Sequence, residues 1–151
     1  MNFNSPGQVV IAGHATAVSQ AVEYAKEHGA RRAILLPVSV PSHSSLMREA
    51  GLSLAETLEA TPFDVPEVTV ISAATAEPYG DAADIRSKLS AQVYSPVLWV
   101  RTVEAMIARG ATSIVECGPG KVLAGLIRRI DKGTPTGMLD NLVNLQKALQ
   151  I

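Results

Sequence analysis

A single cysteine, Cys117, is the only thiol in 151 residues. One thiol cannot close an internal disulfide, and it cannot supply a Cys-rich metal centre. It accords with a reducing, cytoplasmic setting. Charge of one sign is also missing: 13 Lys and Arg stand against 14 Asp and Glu, for a net charge of −1. No run of like charges offers a basic face, so binding to a phosphate backbone is not expected. No apolar stretch approaches the roughly 18 residues of a membrane-spanning helix. Residues 1–7 carry neither a basic region nor an apolar segment, so no signal peptide is expected. Internal repeats and low-complexity tracts are absent, and no carboxylate pair or His/Asp cluster has metal-ligand spacing. What is present is apolar material: hydrophobic residues make up 47% and charged residues 18%, enough to fill a core. The length fits one ordinary domain.

Strand and helix patterns alternate along the chain. Gln8–Ala12 is a short β-branched run between Pro6-Gly7 and Gly13, and reads as a buried strand with no earlier strand to pair with. Thr16 can cap the next helix, which carries Val18, Ala21, Val22 and Ala25 on one stripe and ends at Gly29. A strand is expected over Ala33–Pro37, then a Ser/Pro-rich turn. Residues 44–60 are helical by pattern, with Met47, Gly51, Leu54 and Leu58 on one face and Ser44 as N-cap. Val68–Ser72 reads as a strand, and 84–92 and 97–109 as helices, the second presenting Trp99, Val103, Met106 and Ile107. Ser113–Cys117 is a strand that runs into Gly118-Pro119-Gly120. Leu123, Leu126, Ile127 and Ile130 then stripe a helix. Residues 133–137 are a linker before a last helix with Met138, Leu142, Leu145 and Leu149. The alternation predicts an α/β domain with a mainly parallel sheet.

His43 is the most suggestive titratable residue. It lies between a strand and a helix, where α/β folds place functional groups, and imidazole changes charge near neutral pH. By spacing alone, packing or capping at the start of its helix is the favoured role. His14 and His28 have structural explanations at element ends and no evident acidic partner. The search for a nucleophile fails. A Gly-x-Ser-x-Gly elbow is not present; the nearest string, Gly51 to Ala55, lacks the final glycine, and Ser53 reads as an exposed helix serine. Ser42, Ser44 and Ser45 neighbour His43 in sequence, which rarely brings side chains together productively. Cys117 reads as buried, inert packing at the end of a strand. The turn from Cys117 to Lys121 matches neither phosphate-loop pattern, and Pro119 removes a donor that a phosphate would need. It reads as a tight structural turn.

Four segments in order resemble the C-terminal half of the bacterial malonyl-CoA:acyl-carrier-protein transacylase family. They are residues 2–13, from Asn2 to Gly13; 36–43, ending in Pro41-Ser42-His43; 92–99, from Gln92 to Trp99; and 115–123, containing Gly118-Pro119-Gly120. The resemblance implies a catalytic role for His43, as base toward a serine and then as acid toward the departing thiolate. It implies that the backbone carbonyl of Gln92 accepts a hydrogen bond from that imidazole, in place of a triad acid. Asn2 and Asn4 match asparagines of the family's active-site groove.

The same resemblance implies a fold: the latter part of a ferredoxin-like small subdomain over 1–40, then the C-terminal part of a hydrolase-like, mainly parallel sheet with helices over 41–151. Malonyl-CoA would be the substrate and acyl carrier protein the partner, with no cofactor or metal, and no role with nucleic acid or membrane. The family's serine elbow, its malonate-binding arginine and its oxyanion-hole glutamine precede the matched region. Arg48 and Arg101 do not fill that gap. The isolated chain is therefore expected to be inactive, and to pair with a missing N-terminal half or self-associate through exposed edges. Two alternatives share the fold: a non-catalytic binding or scaffold fragment, and a fragment of a polyketide-synthase acyltransferase domain.

Overall fold

The computed structural model describes residues 1–150. It is a helix-rich α/β structure with two small sheets. The first pairs β1 (Asn2–Ser5) with β2 (Gln8–Val10) antiparallel, through a turn in which Gly7 takes a φ of +75°. The second pairs β3 (Ile114–Glu116) with β4 (Thr136–Met138) in parallel, in the register Ile114–Thr136, Val115–Gly137 and Glu116–Met138. Helix α1 spans Ala15–Glu27, α2 Arg48–Glu59, α3 Ala82–Gln92, α4 Trp99–Ala108, α5 Val122–Ile130 and α6 Leu142–Ala148. A short 3-10 turn, Ser45–Met47, leads into α2.

The centre of the fold lies where β1 packs on α4 and α5. Val103, Ala124 and Ile127 are its most buried apolar residues. Their helical spacing is the expected one on α4, and on α5 the expected stripe is realised by Leu126 and Ile127, with Leu123 turned outward. A second unit packs α2 against α3. Gly51 is buried there because a side chain would collide with α3: its Cβ would lie 3.0 Å from the Ser90 carbonyl oxygen. Asp81 caps α3, its carboxylate accepting the Asp84 N–H at 2.9 Å. At the far end of α2, the Arg86 guanidinium donates to Leu58 O at 2.8 Å and Thr61 O at 2.9 Å, so a charged fork ties α3 to the end of α2, adding a bond to Leu58 O, which also accepts from the Thr61 N–H at 3.1 Å.

Several elements differ from the pattern reading. The strand at Gln8–Val10 does have an earlier partner, β1, because the turn at Pro6-Gly7 folds residues 2–5 back onto it; β2 is largely exposed. Residues 33–37 form no strand among the described residues, and Ile34, Leu35 and Leu36 are exposed. Residues 68–72 contribute only an isolated bridge, Ile71 to Pro78. An apolar β-branched run becomes a strand only when a neighbour supplies a ladder of hydrogen bonds; 68–72 has just two, Ser72 N–H to Glu77 O and Tyr79 N–H to Val70 O, and 33–37 pairs with no strand among the described residues. A mainly parallel sheet is accordingly replaced by one antiparallel pair and one parallel pair. The linker at 133–137 holds the start of β4.

Cys117 is exposed rather than buried, since β3 stops at Glu116 and the chain turns away. Ser44 does not cap with its hydroxyl, which donates to Pro41 O at 2.7 Å. Thr16 lies within α1, whose N-cap position is His14. The stripe on α6 is open to solvent, with Leu142 78% and Leu149 79% exposed.

Candidate active site

His43 stands at the end of the Ser/Pro-rich turn, two residues before the helical lead-in to α2 begins. Its φ is +58°, in the left-handed region that non-glycine residues enter at a cost. What holds it there is the C-terminal turn of α3. The last carbonyls of a helix have no partner within it, and three carbonyls of this turn converge on His43. Its backbone N–H donates to Val93 O at 3.1 Å. Its Nδ1 lies 2.9 Å from Gln92 O and 3.2 Å from Ser95 O.

Both ring partners are carbonyl oxygens and can only accept. Nδ1 therefore carries the proton, and the lone pair of the neutral ring sits on Nε2. The ring is half-buried, and among the described residues neither Asp nor Glu takes part in holding it. Among the described residues no hydroxyl or thiol is hydrogen-bonded to Nε2. The arrangement is a histidine oriented as a base, with its acceptor side free.

Gln92 closes α3 and contributes through its main chain. Ser95 was not among the residues picked from sequence. A signal was available: the residue before a proline is pushed out of helical conformation, and Ser95 precedes Pro96. That marks the helix end whose carbonyls turn outward. Asn2 and Asn4 lie on β1, both half-buried and on the same face by strand alternation. β1 runs beside the segment that follows Ser95: Phe3 N–H donates to Val97 O and Val97 N–H to Met1 O, both at 2.9 Å. The amino group of Met1 donates to His43 O. The structure thus brings His43, Gln92 and Asn2 into one neighbourhood, with Asn4 two residues further along the strand.

The Gly118-Pro119-Gly120 turn lies elsewhere. Gly118 and Gly120 have φ of +152° and +111°, which only glycine adopts readily. The turn is closed by Glu116, whose carboxylate accepts from Ala124 N–H at 2.8 Å and Leu123 N–H at 3.2 Å. A carboxylate already occupies the N-terminus of α5, which accounts for the turn as structure and not as a phosphate cradle. Next to it runs an open, mostly apolar groove of about 410 Å³ lined by Trp99, Met106, Ile114, Cys117, Leu123 and Ile127 among others. The buried indole N–H of Trp99 has no partner among the described residues.

Comparison with known proteins decides what this geometry belongs to. No protein-family model matches the chain. The malonyl CoA-acyl carrier protein transacylase of Salmonella typhimurium is 46% identical over 149 residues, 99% of this chain and 48% of that protein. Over nearly its whole length the chain is similar to malonyl CoA-acyl carrier protein transacylases. It spans about half the length of the curated relatives it matches. Among solved structures, an acyl-carrier-protein S-malonyltransferase from Burkholderia pseudomallei superposes with a TM-score of 0.98 at 42% identity, over 100% of this chain and 49% of that one. A malonyl-transacylase solved in complex with a type II polyketide acyl-carrier protein superposes at 0.96 and 42% identity, over 99% of this chain and 48% of that one. The transacylase fold is thus matched across the chain, at half the length of these transacylases.

Proposed function

We propose that the chain is the histidine-bearing half of a malonyl-CoA:acyl-carrier-protein transacylase of fatty-acid biosynthesis, acting in the cytoplasm, with His43 as its general base and acid. The observation that carries this is the Nδ1 anchorage of His43 on Gln92 O and Ser95 O, which leaves Nε2 free. In the intact enzyme Nε2 takes the proton of a serine hydroxyl from the other half as that oxygen attacks the malonyl thioester. The thiolate of CoA leaves and receives the proton, giving a malonyl-serine ester. The second half-reaction reverses these steps with the thiol of the carrier protein as nucleophile. The two carbonyls fix tautomer and orientation, the work an aspartate does in a Ser-His-Asp triad. Asn2 and Asn4 line the groove in which the acyl group sits.

The division proposed for the chain places residues 1–40 in a ferredoxin-like small subdomain and 41–151 in a hydrolase-like large one. The antiparallel β1–β2 pair with α1 supports the first, and the parallel β3–β4 pair flanked by α5 supports the second. The missing half covers the apolar groove beside β3 and the open stripe of α6. The exposed Leu123, Leu142 and Leu149, together with the half-length match, favour this over an independent domain.

The test is an intact mass spectrum after incubation with malonyl-CoA. The chain alone stays unmodified. Mixed with the complementary half of a full-length relative, it supports malonylation of the serine on that half, and His43→Ala abolishes the adduct. One malonyl equivalent on the isolated chain would overturn the reading, since Ser42, Ser44, Ser45 or Cys117 would then be the nucleophile. No adduct in either mixture would favour a scaffold role.

A further inference from the structure

The two arms that meet at His43 are α2, which His43 leads into, and α3, whose C-terminal turn supplies the acceptors. Tyr94 sits between them. It lies inside the 92–95 turn, and its ring rests directly on the backbone of α2 at Gly51. A Cβ at Gly51 would come within 2.5 Å of Tyr94 Cδ1 and 2.6 Å of Cε1, so the seat exists only because residue 51 has no side chain. Arg48, one turn earlier on the same face of α2, covers the ring with its guanidinium carbon 4.9 Å from the ring centroid. Gln92, Val93 and Ser95, whose carbonyls hold His43, are all within two residues of this anchored ring.

From this we infer that Tyr94 is a positioning residue: its ring, seated on Gly51 and covered by Arg48, fixes the Gln92 and Ser95 carbonyls and thereby the Nδ1–H tautomer of His43. The ring itself touches no reacting atom. It acts as a strut that sets the spacing between α2 and the end of α3, so that two carbonyls reach one ring nitrogen. Without it the 92–95 turn keeps its link to α3 but loses its fixed distance from His43, and the backbone strain at φ +58° is no longer held from three sides. The inference deepens the proposed role of His43 and rests on it for its catalytic meaning. Its structural content is testable without any catalysis.

The experiment is nitrogen-15 NMR of the His43 imidazole in the full chain, above the pH at which the ring is neutral, where Nδ1–H and Nε2–H tautomers give distinct shifts. The wild type should show the Nδ1–H form. Tyr94→Ala should raise the Nε2–H population about fivefold, the preference carried by one hydrogen bond, while Tyr94→Phe keeps the wild-type signature. Should Tyr94→Ala fail to fold, Arg48→Ala reads the same device more gently, with a smaller shift that Arg48→Lys restores. A folded Tyr94→Ala or Arg48→Ala chain with the wild-type tautomer would overturn the inference. If the variants show these shifts while the wild-type chain, mixed with the complementary half of a full-length relative, supports no malonyl transfer, the proposed function is refuted and the positioning role stands.

Discussion

Arg86 offers a direct measure of what keeps α3, and with it the His43 cradle, in place. Its Nε donates to Leu58 O at 2.8 Å and its Nη2 to Thr61 O at 2.9 Å, both partly buried, and its guanidinium carbon lies 5.5 Å from the centre of the Phe63 ring. Hydrogen bonds from a charged donor contribute about 1.5–3 kcal/mol each, and a partly exposed cation–π contact about 0.5 kcal/mol. The two bonds share one side chain and are not additive, so Arg86→Met, which keeps the apolar stem, should cost about 2–4 kcal/mol. In a domain of this size that lowers the melting temperature by roughly 5–15 °C. Arg86→Lys keeps the charge but can reach only one carbonyl, and should lose about half as much.

Urea unfolding followed by fluorescence gives the numbers cleanly, because Trp99 is the only tryptophan and sits on α4, away from the substitution. The slope with denaturant should stay constant while the midpoint falls. If Arg86→Met shifts stability by less than about 0.5 kcal/mol, the fork is an ornament of the surface and the reasoning fails. Equal losses for Met and Lys would show that planar geometry matters and charge does not.

Two further outcomes follow from caps and turns. Glu116→Ala should destabilise the chain by about 1–2 kcal/mol and Glu116→Gln by less, because the carboxylate is the cap of α5 while Lys121, at the N-cap position, supplies none; hydrogen exchange at Leu123 and Ala124 should quicken in step, and unchanged protection would sink the idea. The carboxyl of Asp84 is held below its ordinary range, first by the hydrogen bond from Lys88 and then by the Gly80 N–H. A carboxyl lowered in the folded state contributes stability that is complete above its unfolded pKa and fades as pH falls through the folded value. The wild type should therefore lose this contribution only in acid, and Asp84→Asn should flatten that part of the stability profile; parallel profiles for the two chains would refute it.

How far the site was legible in sequence depended on the range of each interaction. His43 was visible as a histidine at a strand-to-helix turn, and its ring contact with Gln92 followed only from the family resemblance. Spacing alone favoured a structural role, because the partners are main-chain oxygens 49 and 52 residues away and leave no side-chain pattern. Ser95 escaped for the same reason, although Pro96 marked the place. The strand expected at 33–37 and the one at 68–72 had the right composition, yet composition does not supply an edge to pair with. Cys117 was read from its apolar strand, and its exposure is set by the turn that follows.

The sequence by itself determined what rests on local periodicity and local chemistry. The 3.6-residue stripes placed α2, α4 and α5, and Gly118 and Gly120 demanded their turn. The tertiary structure alone decided which strands found partners: β1 with β2 and with Val97, and β3 with β4 rather than with a longer sheet. It alone brought the spent end of α3 to the start of α2, where Gly51 admits the Tyr94 ring and three free carbonyls meet one histidine. The reason is physical. Helical periodicity is satisfied within a few residues, whereas strand pairing and main-chain acceptors depend on a neighbour that arrives from far along the chain.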